Sequence, residues 1–204
     1  MIALIDYHAG NLTSVKKALA AVGADVFVPE RPADLEKAAG VIVPGVGHFG
    51  ATRTLDRAWV DAIVARVEQQ WPLLGICLGM QWLFETSDEA PDLHGLGVMS
   101  GRCVRLGRVS LKTDLAVKVP HVGWNTLALQ RSSWIADGVP DEAQVYFTHS
   151  YVAPINGATV ATTAHGDAFA AIVERGPVAG VQFHPEKSGE IGLQILRNFV
   201  ARTQ

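Results

Sequence analysis

The sequence is poor in cysteine and contains no long hydrophobic run. Its two cysteines are Cys77 and Cys103, too few for the disulfide framework that holds small secreted domains together. No apolar segment approaches the roughly 18 residues that a membrane-spanning helix requires, and the N-terminus lacks the basic start and cleavage site of a signal peptide. These absences predict a protein of the reducing cytoplasm that has no membrane partner.

An excess of basic residues and the spacing of a metal site are also missing. The chain carries 17 Lys and Arg against 20 Asp and Glu, for a net charge of −3, which gives no electrostatic footprint for nucleic acid. Its seven histidines show no His-Glu-x-x-His spacing, so we expect no metal and no other cofactor. The 204 residues, 49% of them hydrophobic, suffice for one domain over 1–204 with a well-filled interior.

Hydrophobic patterning predicts an α/β fold. Apolar runs at residues 2–5, 25–28 and 41–43 alternate with helical patterns at 12–22 and 32–39. Such alternation is typical of a mainly parallel sheet. The first helix has a capping residue in Asn11 or Thr13 before it and Gly23 after it, as helix ends prefer.

The second half of the chain is built differently. Short strand patterns separated by turns recur at residues 115–119, 121–125, 144–151, 159–163 and 168–173. We interpret them as an antiparallel β extension of the same domain. A further strand at 178–183 leads into a final helix, whose predicted inner side carries Ile191, Ile195, Leu196 and Phe199.

A cysteine lies between a predicted strand and a predicted helix. Residues 73–76 form a short apolar run, helical spacing starts at Met80, and Cys77 is flanked by Gly75 and Gly79. Gly-x-Cys-x-Gly at a strand-to-helix turn has the mechanics of a nucleophile elbow. A helix N-terminus also favours the reactive thiolate. The alternative is that Cys77 is simply a small buried hydrophobic residue.

A glycine-rich segment, residues 44–50, follows the third predicted strand and precedes a helix predicted at 51–70. Residues 45–50 match Gly-x-Gly-x-x-Gly, the dinucleotide fingerprint. The fingerprint normally follows the first strand, and the acidic residue expected about 20 positions on is missing. The alternatives are a plain glycine turn and a loop of exposed N–H groups beside the elbow. We favour the last, with the N–H groups of the loop and of Leu78 as oxyanion donors.

A histidine follows the predicted strand at 178–183. His184 is separated from Glu186 by Pro185, and in an extended segment both side chains would project to the same side. An imidazole oriented by a carboxylate is the base that a thiol nucleophile needs. A histidine of the surface or core is the alternative for His184 taken alone.

Taken together, these motifs resemble a known family. Gly-Ile-Cys-Leu-Gly-Met-Gln at 75–81, Pro-Gly-Val-Gly at 44–47 and Gln-Phe-His-Pro-Glu-Lys-Ser at 182–188 resemble the class I glutamine amidotransferases. More narrowly, the motifs at residues 6–12, 121–125 and 146–151 resemble the glutaminase subunits of imidazole glycerol phosphate synthase. The resemblance implies a flavodoxin-like, doubly wound sheet. His8 departs from that family, which more often has a small residue there, commonly glycine.

The resemblance also implies a reaction and a partner. Glutamine would be hydrolysed to glutamate and ammonia through a thioester, and the ammonia passed to a cyclase subunit, which is a (β/α)₈ barrel, in histidine biosynthesis. The residues carried over are Cys77, His184 and Glu186 for catalysis; Gly47 and Leu78 for the oxyanion; Gln81, Glu89, Ser150 and Tyr151 for the substrate; and Asn11, Trp124, Tyr146 and Lys187 for the cyclase interface.

Two other hypotheses stay open on the sequence alone. One is the glutaminase of a different synthase, or a stand-alone cysteine hydrolase on a similar fold. The other is a nucleotide-binding or catalytically silent regulatory module, which would use the glycine loop and leave Cys77 unreactive.

Overall fold

A computed structural model describes residues 1–107, 109 and 116–204. The strands are β1 (Ile2–Leu4), β2 (Val26–Phe27), β3 (Gly40–Val43), β4 (Leu73–Ile76), β5 (Phe84–Ser87), β6 (Met99–Arg105), β7 (His121–Thr126), β8 (Ala128–Leu129), β9 (Gln144–His149), β10 (Tyr151–Val152), β11 (Thr159–His165), β12 (Asp167–Arg175) and β13 (Val178–Val181). The α-helices are α1 (Leu12–Ala21), α2 (Arg57–Glu68), α3 (Leu78–Trp82) and α4 (Gly189–Ala201), with 3₁₀ helices at Pro32–Lys37, Phe49–Thr54 and Pro185–Lys187.

One large sheet organises the chain. Its strand order is β2-β1-β3-β4-β13-β12-β11-β8. The strands from β2 to β13 pair in parallel, whereas β12, β11 and β8 continue the sheet in antiparallel pairings. Two smaller sheets, β10-β6-β5 and β7-β9, lie outside it. The predicted α/β class with a mainly parallel sheet and an antiparallel extension is confirmed.

The buried side chains form a layer on each face of this sheet. Successive residues of a strand point to opposite faces, and β3 shows the consequence. Ile42 belongs to the cluster that includes Val15 of α1 and Phe199 of α4, whereas Val41 belongs to the cluster that includes Ile63 of α2. Helices therefore cover both faces, and the carboxyl edge of the parallel strands is left for the loops.

Local sequence signals explain where α1 begins and ends. The side chain of Asn11 accepts a hydrogen bond of 3.3 Å from the backbone N–H of Ser14, the usual role of an N-cap asparagine. Gly23 lies beyond the helix with φ of 75°, a left-handed conformation that glycine adopts easily at helix ends. The prediction for this helix is confirmed.

Two predicted helices differ from the structure. The helix predicted at 51–70 starts only at Arg57, because Asp56 caps it by accepting from the N–H groups of Ala58 and Trp59. The helical pattern from Met80 to Phe84 breaks after five residues of α3. Phe84 instead begins β5, which pairs with β6, so tertiary pairing overrides the local periodicity.

The structure also differs at residues 32–39 and covers only part of the strand predicted at 115–119. The helix predicted at 32–39 is a 3₁₀ helix over Pro32–Lys37. Within the predicted strand at 115–119, Leu115 lies outside the described residues, and Ala116 forms an isolated antiparallel bridge with Val109. In the described part of the chain the longest helix, α4, has 13 residues, too few to cross a bilayer.

The turn between β4 and α3 depends on close backbone contact. A Cβ at Gly79 would collide with the backbone carbonyl of Val43 in β3, and a Cβ at Gly75 would collide with the backbone of Gly79. Glycine is therefore required at both positions for α3 to pack this tightly on the sheet.

We predict that Gly79→Ala destabilises the protein strongly. The new methyl group would push α3 away from β3, so we expect a loss of about 2–4 kcal/mol in unfolding free energy. Gly157→Ala is the matched control, because a Cβ at Gly157 meets nothing within 4 Å. Urea unfolding of both variants measures the effect, and equal stabilities would contradict the packing argument.

Candidate active site

The ends of three adjacent strands meet at one edge of the sheet. In register, β4 pairs with β3 through Ile42 and Leu74 and with β13 through Val181 and Ile76. The glycine loop (residues 44–50) follows β3, Cys77 follows β4, and His184 follows β13 after a short extension. Parallel pairing thus brings together the three segments that the sequence analysis singled out.

Cys77 is held in a strained conformation between β4 and α3. Its φ is 53° and its ψ −105°, a region that non-glycine residues rarely occupy. Its N–H donates to the carbonyl of Val181 at 2.8 Å, and its carbonyl accepts from the N–H of Gln81 at 3.1 Å. These bonds at both ends hold the strained turn, and the residue is 4% exposed.

His184 and Glu186 form a buried pair. Nδ1 of His184 lies 2.7 Å from Oε1 of Glu186, and the two side chains are 2% and 5% exposed. The segment is a 3₁₀ turn over Pro185–Lys187, so the expectation of an extended segment is wrong. Proline at the first position favours such a turn. The Ser188 hydroxyl donates to the His184 carbonyl at 2.7 Å, which fixes the turn from its other end.

The surroundings of His184 favour its charged form. Burial opposes charge, but the sulfur of Cys77 and the carboxylate of Glu186 outweigh it and raise the pKa of His184 to about 10. Nδ1 faces Glu186, and Nε2 has no hydrogen-bond partner among the described residues, so Nε2 is the ring nitrogen left for the sulfur of Cys77. The site therefore stabilises an imidazolium between a carboxylate and a sulfur.

Two groups near the sulfur were not predicted as site residues. The side-chain amide of Gln182 donates to Sγ of Cys77 at 3.6 Å, and Sγ lies 3.9 Å from the carbonyl of Thr148. Gln182 is fully buried. It precedes His184 by two residues on the extension of β13, so the alternation of a strand was a usable signal for it.

A cavity of about 300 Å³ opens at Cys77, at the lower end of the size range of small-molecule sites. It is lined by Gly47, Cys77, Leu78, Gln81, Glu89, Pro120, Thr148, His149, Ser150 and Tyr151. All four side chains predicted to hold the substrate are thus gathered around the predicted nucleophile. Pro120, Thr148 and His149 are lining residues that were not predicted from the sequence.

Two of these polar side chains are held by the backbone. Glu89 accepts a hydrogen bond of 2.7 Å from the N–H of Phe49, just past the glycine turn. The amide of Gln81 donates to the carbonyl of Tyr151 at 2.9 Å and to the side chain of Gln182 at 3.2 Å. Glu89 is consequently the anionic group fixed at the cavity wall.

The two predicted oxyanion donors differ in what the structure shows of them: a backbone conformation at Gly47 and a hydrogen bond at Leu78. Gly47 has φ of 105°, and a Cβ there would meet no atom within 4 Å, so glycine is needed for conformation rather than for space. The N–H of Leu78 is already engaged, because it donates to the carbonyl of Gly45 at 3.3 Å. In this conformation the glycine loop covers the donor that an oxyanion would use.

The predicted partner residues divide into two groups. Trp124 is 56% exposed, and its ring lies edge-on to that of Tyr146 at 6.1 Å. Nζ of Lys187 lies over the Tyr146 ring at 5.7 Å. These three form an aromatic and cationic cluster in which Trp124 and Lys187 are exposed and Tyr146 is half-buried, whereas Asn11 caps α1. His8 has φ of 62°, which explains why glycine suits that position.

A chain of neutral histidines runs from the cavity wall into the protein. Nδ1 of His149 lies 3.0 Å from the carbonyl of Tyr151 and must donate to it, because a carbonyl only accepts. Nε2 of His149 then accepts from Nδ1 of His121 at 3.1 Å, and Nε2 of His121 accepts from the amide of Asn125 at 3.3 Å. Each ring therefore has one N–H that donates and one bare nitrogen that accepts, which is the neutral form of histidine.

Burial explains why these rings stay neutral. It lowers the pKa of His121 to about 4, with a further contribution from His165, and lowers that of His149 to about 3, with a contribution from His121. Within the described residues, no group of three or more His, Cys, Asp and Glu side chains has the arrangement of a metal site.

Comparison with known proteins places this site in a family. Residues 3–203 match the class I glutamine amidotransferases. A relative from Geobacillus kaustophilus, named imidazole glycerol phosphate synthase subunit HisH, is 47% identical, with 98% of this chain and 96% of the relative covered. The protein of the same name from Methanothermobacter thermautotrophicus is 42% identical, with 98% of each chain covered.

Solved structures show the same fold. A glutamine amidotransferase superposes with a TM-score of 0.74 at 21% identity, covering 100% of this chain and 99% of the other. A chain of PurLQS from Thermotoga maritima superposes with a TM-score of 0.73 at 16% identity, covering 100% of this chain and 98% of the other.

The doubly wound sheet with a cysteine turn at its carboxyl edge is thus the fold of a glutamine amidotransferase. The chain belongs to the class I glutamine amidotransferase family and, within it, to the HisH subunits of imidazole glycerol phosphate synthase. The predicted resemblance is confirmed, as is the prediction of an enzyme that serves as a glutaminase subunit.

We predict that His121→Phe makes stability less sensitive to acid. The unfolded chain binds a proton at His121 near pH 6.5, whereas the folded chain binds it only near pH 4, so acidification between these values favours unfolding of the wild type. At pH 8 the variant should be less stable by about 1 kcal/mol, because His149 loses a partner. By pH 4.5 the difference in unfolding free energy between the variant and the wild type should shift by about 1–2 kcal/mol in favour of the variant.

Urea unfolding at the two pH values measures this effect. His94→Gln, which changes an exposed histidine, should keep the pH dependence of the wild type. A difference between His121→Phe and the wild type that does not vary with pH would contradict the neutral histidine chain.

Proposed function

We propose that this chain hydrolyses L-glutamine to glutamate and ammonia, with Cys77 as nucleophile, His184 as acid and base, and Glu186 as the group that orients the imidazole. The observation that carries the proposal is the buried His184–Glu186 pair at 2.7 Å, which follows β13, the strand paired with the β4 strand that precedes Cys77, with Cys77 lining a polar cavity. A nucleophile, its base and an orienting carboxylate are the elements of covalent acyl transfer.

The reaction follows from these groups. The thiolate attacks the side-chain carboxamide of glutamine and forms a tetrahedral oxyanion. The imidazolium gives its proton to the leaving nitrogen, so ammonia departs and a thioester remains. Water then attacks the thioester as His184 takes up its proton, glutamate leaves, and the thiolate–imidazolium pair is restored.

Charge and hydrogen bonding suit glutamine as the substrate. Glu89, held at the cavity wall by the N–H of Phe49, offers a negative charge to the substrate's α-ammonium group. Ser150, Tyr151 and Gln81 line the same cavity and offer hydrogen bonds to its α-amino and α-carboxylate groups. We assign the N–H groups of Gly47 and Leu78 to the oxyanion, which requires the glycine loop to release Leu78 first.

We infer that the ammonia is delivered to a cyclase subunit, which is a (β/α)₈ barrel and with which the chain forms a cytoplasmic heterodimer. That complex would act as a lyase that makes imidazole glycerol phosphate and an aminoimidazole carboxamide ribonucleotide in histidine biosynthesis. An exposed tryptophan flanked by Tyr146 and Lys187 is the kind of anchor found at protein interfaces. In this proposal residues 1–204 form a single amidotransferase domain.

We predict that Glu186→Gln lowers the kcat of glutamine hydrolysis by roughly 10²- to 10⁴-fold. The neutral amide no longer supports the imidazolium, so the pKa of His184 falls and less imidazolium is present beside the sulfur at neutral pH. Glu190→Gln is the control, because Glu190 is an exposed carboxylate paired with Arg197. Cys77→Ala should abolish hydrolysis.

Glutamate release and alkylation of Cys77 by iodoacetamide, both at pH 7.5, measure the effect. A Glu186→Gln enzyme that alkylates and turns over at the wild-type rate would refute the orienting role. Glutamate release by Cys77→Ala would refute the nucleophile.

We predict that the cyclase, together with its ligand, strongly raises the rate of glutamine hydrolysis, because the glycine loop covers Leu78 in the isolated chain.

Trp124→Ala should weaken binding of the cyclase by about 10-fold or more, as expected for an aromatic anchor. Ile155→Ala, at another exposed hydrophobic residue, is the control.

Glutamine-dependent and ammonia-dependent product formation with and without the cyclase distinguishes the hypotheses. Equal glutaminase rates with and without the cyclase would favour a stand-alone hydrolase and contradict coupling.

A further inference from the structure

The hydroxyl of Tyr7 is buried without a hydrogen-bond partner. Tyr7 follows β1 closely and is 3% exposed, and its hydroxyl oxygen has no partner within the described part of the chain. Burial, with a contribution from Cys77, raises the pKa of this hydroxyl above its ordinary value, so the group remains a donor. A buried donor that makes no hydrogen bond costs stability, and its presence calls for an explanation.

The hydroxyl lies against the glycine loop. A Cβ at Gly45 would collide with the Tyr7 hydroxyl and would lie 3.0 Å from Cβ of Leu78. Gly10 packs on the same loop, since a Cβ there would lie 3.4 Å from Cα of Gly45. Gly45 is therefore confined between Leu78 and the segment that carries Tyr7.

The carbonyl of Gly45 has two possible donors. It now accepts from the N–H of Leu78 at 3.3 Å, which is the N–H that the proposed reaction needs for its oxyanion. When this peptide turns away from Leu78, its carbonyl loses that hydrogen bond and requires another. The unpartnered hydroxyl of Tyr7 is the donor within reach of Gly45.

We propose that Tyr7 is a positioning residue for the oxyanion site: its hydroxyl donates to the Gly45 carbonyl after the peptide turns, and so holds the glycine loop in the conformation that frees the N–H of Leu78. The inference rests on the proposed glutaminase function. Tyr7 is not among the residues that line the cavity, so its hydroxyl acts through the loop and not on the substrate.

Tyr7→Phe tests this role in the complex with the cyclase. The variant keeps the ring and loses only the hydroxyl, so kcat for glutamine hydrolysis should fall about 3- to 10-fold, the worth of one hydrogen bond. KM for glutamine should stay within about twofold, because substrate contacts are unchanged. Alkylation of Cys77 by iodoacetamide should proceed at the wild-type rate, because displacement at a saturated carbon forms no oxyanion.

Thermal unfolding separates positioning from structural damage. Loss of an unpartnered hydroxyl should leave the Tm of Tyr7→Phe equal or higher. Thr163→Val is the matched control: the Thr163 hydroxyl is also buried and lacks a partner among the described residues, but Thr163 lies on β11 and does not line the cavity. This control should leave kcat unchanged.

The outcomes are distinct. A kcat within twofold of the wild type in Tyr7→Phe, or a loss of kcat matched by losses in Tm and alkylation rate, would overturn the inference while leaving the glutaminase assignment intact. A wild-type complex that releases no glutamate would overturn the proposed function and this inference together.

Discussion

Parallel pairing of β4 with β3 on one side and β13 on the other is the constraint on which the site depends. Register fixes the relative positions of the three strand ends, so the glycine loop, Cys77 and His184 lie at one edge of the sheet. In the sequence, His184 is more than a hundred residues from Cys77 and from the glycine loop. The glycines at 75 and 79 complete the constraint, because they let α3 pack against the sheet closely enough to hold Cys77 in its strained turn.

Three histidines around this edge differ in charge, although burial lowers the pKa of each of them. It opposes charge on every one of them, and at His121 and His149 nothing outweighs it, so both stay neutral and form a directional hydrogen-bond chain. At His184 the carboxylate of Glu186 and the thiol of Cys77 reverse the balance. One low-dielectric region therefore contains a charged imidazolium and, beside it, uncharged rings that do not compete with it for the proton.

The sequence was most informative where function depends on local chemistry. The Gly-x-Cys-x-Gly turn, the His-Pro-Glu segment and the Asn11 cap were each visible in fewer than ten residues, because a strained turn or a helix end restricts residue type directly. Features that depend on long-range pairing were not visible: Phe84 has helical spacing but joins a strand, and the histidine chain needs β7 and β9 side by side. Gln182 lay inside a recognised motif, and strand alternation puts it on the same side as His184, but its contact with the sulfur depends on the pairing of β13 with β4.

In the proposed reaction, the glycine loop accounts for the low activity that we predict for the isolated chain. Cys77 and the His184–Glu186 pair follow adjacent strands, whereas the N–H of Leu78, which we propose as an oxyanion donor, is covered by the Gly45 carbonyl. The loss of one oxyanion donor typically lowers a rate by about 10²–10³-fold. A conformational change confined to the Gly45 peptide is therefore large enough to control the rate of turnover. This peptide lies between the cavity and the segment from Tyr7 to Asn11. Asn11 is predicted to face the partner. Coupling to a partner would then require only that binding favour one orientation of this peptide over the other.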